Sequence, residues 1–443
     1  MPLDSEQLSA TLAGISKDLP TRRRYVVAFS GGLDSAVLLS AMTQLDDGIP
    51  LVALHINHGL HPESSRWAED AQAFATGMGV TCEVVAVKVT DTGSGLEAAA
   101  RSARYAAFES FLGPGDWLLS AHHRDDQAET LLLNLLRGSG ALGLAAMPPV
   151  RPLGQGSLIR PLLDITRDQI QTYASEQGLE WSDDPSNADR RFDRNYLRHE
   201  VLPRLASRWP GAAKALARSA EVAADTQALL DTMAAEDLQR VGATSAARLP
   251  LSGMLQLEAR RQANLLRYAC RQADLPLPPG SRLREVLVTL LHSAEDAQPV
   301  VTWPGAVVRR FRDTVFLLPE ETSVATLPDG MLRPGAPVSL GPGNGALALV
   351  EASGPGIAAD IAAAGLRVRR RVGGERLKPE PGGATRRLKS LYQEAGILPW
   401  MRNRIPLLEA DGRLVAVGDL WVDAQSRGEP GFAVAWSDKP ELV

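Results

Sequence analysis

Residues 25–45, YVVAFSGGLDSAVLLSAMTQL, put a β-type apolar run, a Ser-Gly-Gly turn and an apolar-periodic helix in immediate succession, and few architectures accept that order. Adjacent glycines let the backbone take positive φ and come close to a ligand. Amides that open a helix have no intrahelical acceptor, so the turn is a ready anion site with phosphate as its natural guest. It lacks the Gly-Lys-Ser/Thr ending of a Walker A loop, which argues against ordinary γ-phosphoryl transfer. Asp34 would repel phosphates by itself and makes sense beside them chiefly with Mg²⁺ between. The bland alternative is a tight βα turn capped by Asp34 or Ser35.

The pattern continues through the first 200 residues. Strand-like runs at 25–29, 51–56, 82–87 and 117–121 alternate with helix-like runs such as 35–45 and 95–111, which predicts an α/β, doubly wound, mostly parallel sheet over residues 1–203. From there AAKALARSAEVAADTQALLDTMAAEDLQR is Ala/Leu-rich and free of Gly and Pro, and opens a mainly helical domain to about residue 320. Residues 321–356 are dense in Gly and Pro and read as a linker with short strands, and 357–443 form a small basic α+β domain. A chain of 443 residues exceeds what one core serves, so two or three domains are expected. The first twenty residues carry acids and no long apolar run, which predicts a cytosolic protein without a membrane partner.

Charge and cysteine usage narrow the chemistry. The net charge is −5, yet between Arg367 and Arg404 eleven Lys/Arg face three Glu, a local +8 suited to a polyanion. Arg370, Arg387, Tyr392 and Trp400 lie in that stretch, mixing cations with rings that suit phosphate contact and base or sugar packing. Cys82 and Cys270 are isolated and form no Cys-x-x-Cys pair, so neither a disulfide framework nor a metal cluster is expected.

The remaining candidates fall at expected strand ends. His55, His58 and His61 follow the second strand, where a nucleotide contact, plain packing and a metal are all open. Arg101 and Arg104 share one helix face, suiting either phosphate or solvent. WLLSAHHRDDQAETLLLNLLRGSG brings His122, Asp125, Asp126 and Glu129 to the same sheet edge as the turn. The cluster could bind Mg²⁺, hold an ammonium or take its proton, while Asp126-Gln127-Ala128-Glu129 also fits a capping box. Beyond IRPLLDITRDQI, the run WSDDPSNADRRFDRNYLRHEVLP sets Arg190, Arg191, Arg194 and Arg198 beside Asp183 and Asp184, an RNA-facing loop or a surface lattice of ion pairs.

Ser30-Gly31-Gly32-Leu33-Asp34-Ser35 resembles the Ser-Gly-Gly-x-Asp-Ser loop of the N-type ATP pyrophosphatases, the PP-loop superfamily, which cleave ATP to AMP and pyrophosphate by adenylating a carbonyl-like oxygen. Within it, the His55 segment, Gly-x-x-x-x-Ala-Arg-x-x-Arg-Tyr, Asp-Pro-Ser-Asn with Arg-Asn-x-x-Arg, and the basic terminal stretch resemble the lysidine synthetases in their longer form. That resemblance implies adenylation of the wobble cytidine of a tRNA(Ile) with a CAU anticodon, then displacement of AMP by free L-lysine. It assigns Ser30, Gly31, Gly32, Leu33, Asp34, Ser35 and His55 to ATP, and Asp34 to Mg²⁺. Arg101 and Arg194 then stabilise charge, Asp126 or Glu129 orients or deprotonates lysine, and His122, Asp125, Asn195, Arg198, Arg370, Arg387 and Trp400 contact lysine or tRNA. A sulfur-inserting relative would need reactive cysteines. A non-catalytic RNA-binding module would not need an intact loop. Oligomeric state stays open, a homodimer included.

Overall fold

The computed structural model describes residues 4–15, 19, 21–90, 95–182, 189–294, 297–320 and 330–443, with only the backbone at Glu97. Asp183, Asp184 and the Asp-Pro-Ser-Asn run lie outside the described residues. The chain divides into two compact units, Met1–Met233 and Ala234–Val443.

The first unit opens with α1 (Ser5–Ile15) and alternates β1 (Arg24–Ala28), α2 (Leu33–Thr43), β2 (Leu51–Asn57), α3 (Ser64–Gly77), β3 (Thr81–Ala86), α4 (Leu96–Phe111), β4 (Asp116–Leu119) and α5 (Arg124–Leu136). The short α6 (Ala141–Leu144), a hairpin of β5 (Val150–Leu153) and β6 (Gly156–Ile159), and α7 (Arg167–Glu176) follow. After them come α8 (Asp193–Tyr196), α9 (Leu202–Arg208) and the long α10 (Ala212–Arg240), which carries the chain into the second unit.

Strand order is β3-β2-β1-β4-β6-β5, all neighbours parallel except β5 with β6. Successive side chains of a strand point to opposite faces. Val27, Ala53, Trp117 and Leu119 accordingly join one apolar cluster with residues of α1, α2, α3 and α7, whereas Val26, Leu54 and Leu118 join another with Phe108. Burial of both faces is why these strands read as continuous apolar runs, and it makes the sheet doubly wound as expected. The chain leaves β1 toward β2 on one side and β4 lies on the other, so the order reverses between β1 and β4. Ligands bind outside the carboxyl ends of strands at such a reversal.

The second unit begins with β7 (Arg248–Pro250), α11 (Leu251–Met254), α12 (Ala259–Gln272), α13 (Gly280–Glu285), β8 (Val300–Trp303), β9 (Ala306–Phe311) and β10 (Thr314–Pro319). On α12 the buried positions are Gln262, Leu265, Leu266, Ala269 and Cys270, one helical stripe facing the core. The region is therefore helical as expected, but it also carries an antiparallel sheet of order β7-β10-β9-β8, whose short runs the sequence pattern left unassigned.

Then come β11 (Gly330–Leu332), β12 (Val338–Ser339), β13 (Ala346–Glu351), β14 (Gly356–Ala358), α14 (Ala359–Ala364), β15 (Leu366–Arg369), β16 (Arg376–Leu377), β17 (Arg386–Arg387) and α15 (Leu388–Glu394). The last strands are β18 (Leu407–Ala410), β19 (Arg413–Val417), β20 (Trp421–Val422), β21 (Arg427–Gly428) and β22 (Gly431–Ser437). The described part of the stretch read as a linker is tied in: β11 pairs with β15, and β13 pairs with β22 along its whole length. Tyr392 is a correction. Its ring is wholly buried in the core of this part of the chain, because it is an inward position of α15, so it cannot pack against a base. Among the described residues no helix is long and apolar enough to cross a membrane.

Candidate functional site

The turn after β1 folds as a small hydrogen-bonded loop. Ser30 N–H donates to Ser35 Oγ at 3.2 Å, Gly32 N–H donates to Ser30 Oγ at 3.3 Å, and Ser35 Oγ donates to the Gly32 carbonyl at 3.0 Å. Only Gly31 takes positive φ, at 84°. Gly32 is extended and is the N-cap of α2, with φ −82° and ψ 166°. The helix thus begins at Leu33, two residues before the expected start at Ser35, and neither Asp34 nor Ser35 is its cap. The first intrahelical bond is Ala36 N–H to the Gly32 carbonyl, so the amides of the first turn before it have no intrahelical acceptor.

The turn after β4 lies beside it. His123 is the N-cap of α5, and Asp126 at the third position accepts the His123 N–H on Oδ2 at 3.0 Å. The capping arrangement expected at residues 126–129 therefore sits three residues earlier, and it spends one Asp126 oxygen on structure. Gly138, at φ 71°, closes the helix as expected.

Three carboxylates surround the fully buried His123 ring: Asp126 at 3.4 Å, Asp125 at 3.5 Å and Asp34 at 3.8 Å. Burial opposes a charged imidazole, but these acids outweigh it and His123 is raised above an ordinary histidine. Next to it, burial together with the charges of Arg160, Arg194 and Arg101 pushes His122 down to about 4 despite Asp126, and its Nδ1 bonds Ser120 Oγ at 2.9 Å. Arg101 thereby acts on the cluster, although its guanidinium lies over the Tyr105 ring, 5.1 Å from the centroid.

Arg198 closes the acidic side. It donates to Glu129 Oε1 at 2.6 Å and Oε2 at 3.1 Å, and to Asp126 Oδ1 at 2.7 Å. Arg198 stands on a π-type turn, Leu197–Val201, between α8 and α9, and such a widened turn re-aims one side chain off the regular helical face. Arg194 adds a bond to Thr130 Oγ1 at 2.8 Å and lies 3.4 Å from Glu129. Glu129 has no solvent exposure, and burial raises its carboxyl more than the two arginines lower it. For Asp126 burial loses: His123, His122 and Arg198 hold it below the ordinary range. Asp125 is likewise held low against its burial by His123 and by the Arg167 N–H.

The other candidate residues have partners of their own. The three histidines do not converge on one ligand position: His55 Nδ1 bonds the Phe29 carbonyl at 3.0 Å, His58 Nε2 accepts from Arg104 at 3.2 Å, and His61 stacks on Trp67. Among the described residues no group of three or more His, Cys, Asp or Glu could hold a metal ion. Asn195 Nδ2 bonds the Asp189 carbonyl at 3.0 Å. In the second unit, Arg387 is exposed at the start of α15, while Trp400 packs edge-on against Phe316 with Arg309 over its ring. Burial pushes both thiols, Cys82 and Cys270, up to about 11, which leaves no reactive thiolate.

Two participants escaped the sequence pattern. His123 is indistinguishable from its neighbour His122 in the sequence, and nothing local marks Arg167, whose guanidinium holds both Asp34 oxygens at 3.2 and 3.1 Å. The Thr-x-x-Gln run before it, a helix-start signal, was the available clue.

Residues 5–205 match a PP-loop domain, 249–316 a TilS substrate binding domain, and 366–436 a TilS substrate C-terminal domain. The chain is 44% identical to a tRNA(Ile)-lysidine synthase of Alkalilimnicola ehrlichii, over 92% of each chain. It is 42% identical to that of Methylococcus capsulatus, over 93% of this chain and 96% of the relative.

Proposed function

The chain belongs to the tRNA(Ile)-lysidine synthase family, and we propose that it joins free L-lysine to carbon 2 of the wobble cytidine of tRNA(Ile)(CAU), converting ATP to AMP and pyrophosphate in the cytosol. A cytosine carbonyl oxygen is a poor leaving group until it becomes a phosphate ester, so adenylation must come first. The observation that carries this reading is the meeting of the β1 turn and the acid–arginine cluster where the strand order reverses.

Ser30, Gly31, Gly32, Leu33 and Ser35 cradle the triphosphate with backbone amides and hydroxyls, and His55 fixes the backbone behind them through Phe29. Asp34 would hold Mg²⁺. That fits a hard dication, which takes one or two carboxylates and fills its shell with phosphate oxygens and water rather than with a protein cage. Arg101 and Arg194 offset charge that grows during adenylyl transfer.

Lysine's side-chain amine, with a pKa of about 10.4, must lose a proton before it attacks. Of the two acids beside it Glu129 suits a base better, since its carboxyl is raised and that of Asp126 is lowered. Asp126 orients the ammonium, and Arg198 occupies the pair until lysine arrives. His122, Asp125 and Asn195 shape the surroundings. Residues 204–320 and 357–443 grip tRNA, the latter through Arg370, Arg387 and the neighbouring cations together with Trp400.

Incubation with ATP, radiolabelled lysine and tRNA tests the reading, since it requires label in RNA and pyrophosphate release. Asp34→Ala is expected to abolish both. Formation of ADP, or near-normal turnover by that variant, would refute it.

A further inference from the structure

Both ends of Arg167, the first residue of α7, are engaged. Its guanidinium donates to the two Asp34 oxygens, and its backbone N–H donates to Asp125 Oδ2 at 3.0 Å. The helix start that carries it is fixed by reciprocal bonds: Gln169 N–H donates to Thr166 Oγ1 at 3.2 Å, and Thr166 N–H donates to Gln169 Oε1 at 2.9 Å. One residue therefore links the acid of the phosphate turn to the acids of α5. The side chains of Arg167 and Asp34 keep 41% and 29% exposure, so the pair is accessible to an incoming nucleotide.

A bare carboxylate at that turn repels a triphosphate, and Arg167 cancels its charge in the free enzyme. We infer that Arg167 positions Asp34 before the nucleotide arrives and then yields the carboxylate to Mg²⁺, its freed guanidinium becoming a ligand of the departing pyrophosphate. The inference rests on the ATP chemistry proposed above. In that step the base oxygen forms a bond to the α-phosphorus, and the oxygen bridging the α- and β-phosphorus leaves with the electron pair of the broken bond. Negative charge therefore grows on the pyrophosphate, and a guanidinium fork matches its oxygens better than an ammonium does.

The test is calorimetric binding of α,β-methylene ATP to the full chain, without tRNA or lysine, in EDTA and in excess Mg²⁺. Arg167→Gln is expected to weaken binding in EDTA about 10-fold while Arg167→Lys stays within about 3-fold, and saturating Mg²⁺ should narrow the difference. Asp34→Asn, which leaves Arg167 intact and releases its guanidinium, should strengthen binding in EDTA about 10-fold. Pyrophosphate release should fall in both Arg167 variants, further in the glutamine one. Equal binding by wild type and Arg167→Gln in EDTA would overturn the inference, as would unchanged or weaker binding by Asp34→Asn. Should Arg167→Gln fail to fold, the Asp34→Asn result decides alone. A wild-type chain that binds no nucleotide even with Mg²⁺ defeats the ATP reading itself, whereas binding that ignores the variants defeats only the role of Arg167.

Discussion

Glu129 has no contact with solvent, and its carboxyl is raised by burial in spite of Arg198 and Arg194. In the base role proposed for it, Glu129 must be ionised to accept lysine's proton, so activity should fall as pH drops through this raised value, at a higher pH than an ordinary glutamate would give. Glu129→Gln removes the titration. Its pH profile should lose that acid limb, with kcat/KM for lysine reduced about 100-fold; a limb that survives unmoved assigns the titration elsewhere. Asp126, Glu129, Arg194 and Arg198 were legible because acids next to a strand end and arginines in a polar loop are unusual residue choices for packing. Arg167 was not, because its partner Asp34 is 133 positions away and no local pattern announces an ion pair between distant turns. His123 was hidden by its neighbour: the periodicity of the strand end does not say which of two adjacent histidines faces inward.

Among elements, the turn between β15 and β16 shows what a buried acid does for a loop. Glu375 accepts the Val372 N–H at 2.6 Å and the Gly373 N–H at 3.0 Å, and lies 3.4 Å from Arg369. Burial works against its charge, yet the amides and Arg369 prevail and its carboxyl is lowered. A lowered value means that its stabilisation is complete above the ordinary glutamate range and disappears as pH falls through the folded value. Glu375→Gln should cost about 1–2 kcal/mol at neutral pH and almost nothing in strong acid, measured by urea unfolding across pH. Equal losses at both ends would remove charge from the explanation. The doubly wound sheet was readable for the opposite reason, since strands buried on both faces leave long apolar runs. Strands of two or three residues such as β7 and β11 leave no period to detect, and the π-type turn under Arg198 depends on packing alone.

For the whole molecule, the proposed tRNA surface is better probed by charge than by truncation. Removing residues 365–443 would take β15 from β11 and β22 from β13, so lost binding would report unfolding as much as lost contacts. Arg376, Arg387 and Lys389 are exposed. Reversing all three to Glu should weaken tRNA binding at least about 10-fold at low salt and flatten its salt dependence, while ATP binding stays unchanged. Filter binding across a salt series checks this, and parallel salt slopes for variant and wild type would exclude the surface. The same strand pairs also set an order of events during synthesis. The sheet of the first unit has all its strands once residue 159 has emerged from the ribosome, but β13, paired on one side only with the two-residue β12, waits for residues 431–437 to supply its full-length neighbour. A nascent chain therefore acquires its nucleotide fold long before its last β-sheet can close, and until then it exposes an unpaired strand edge that invites chaperones or aggregation.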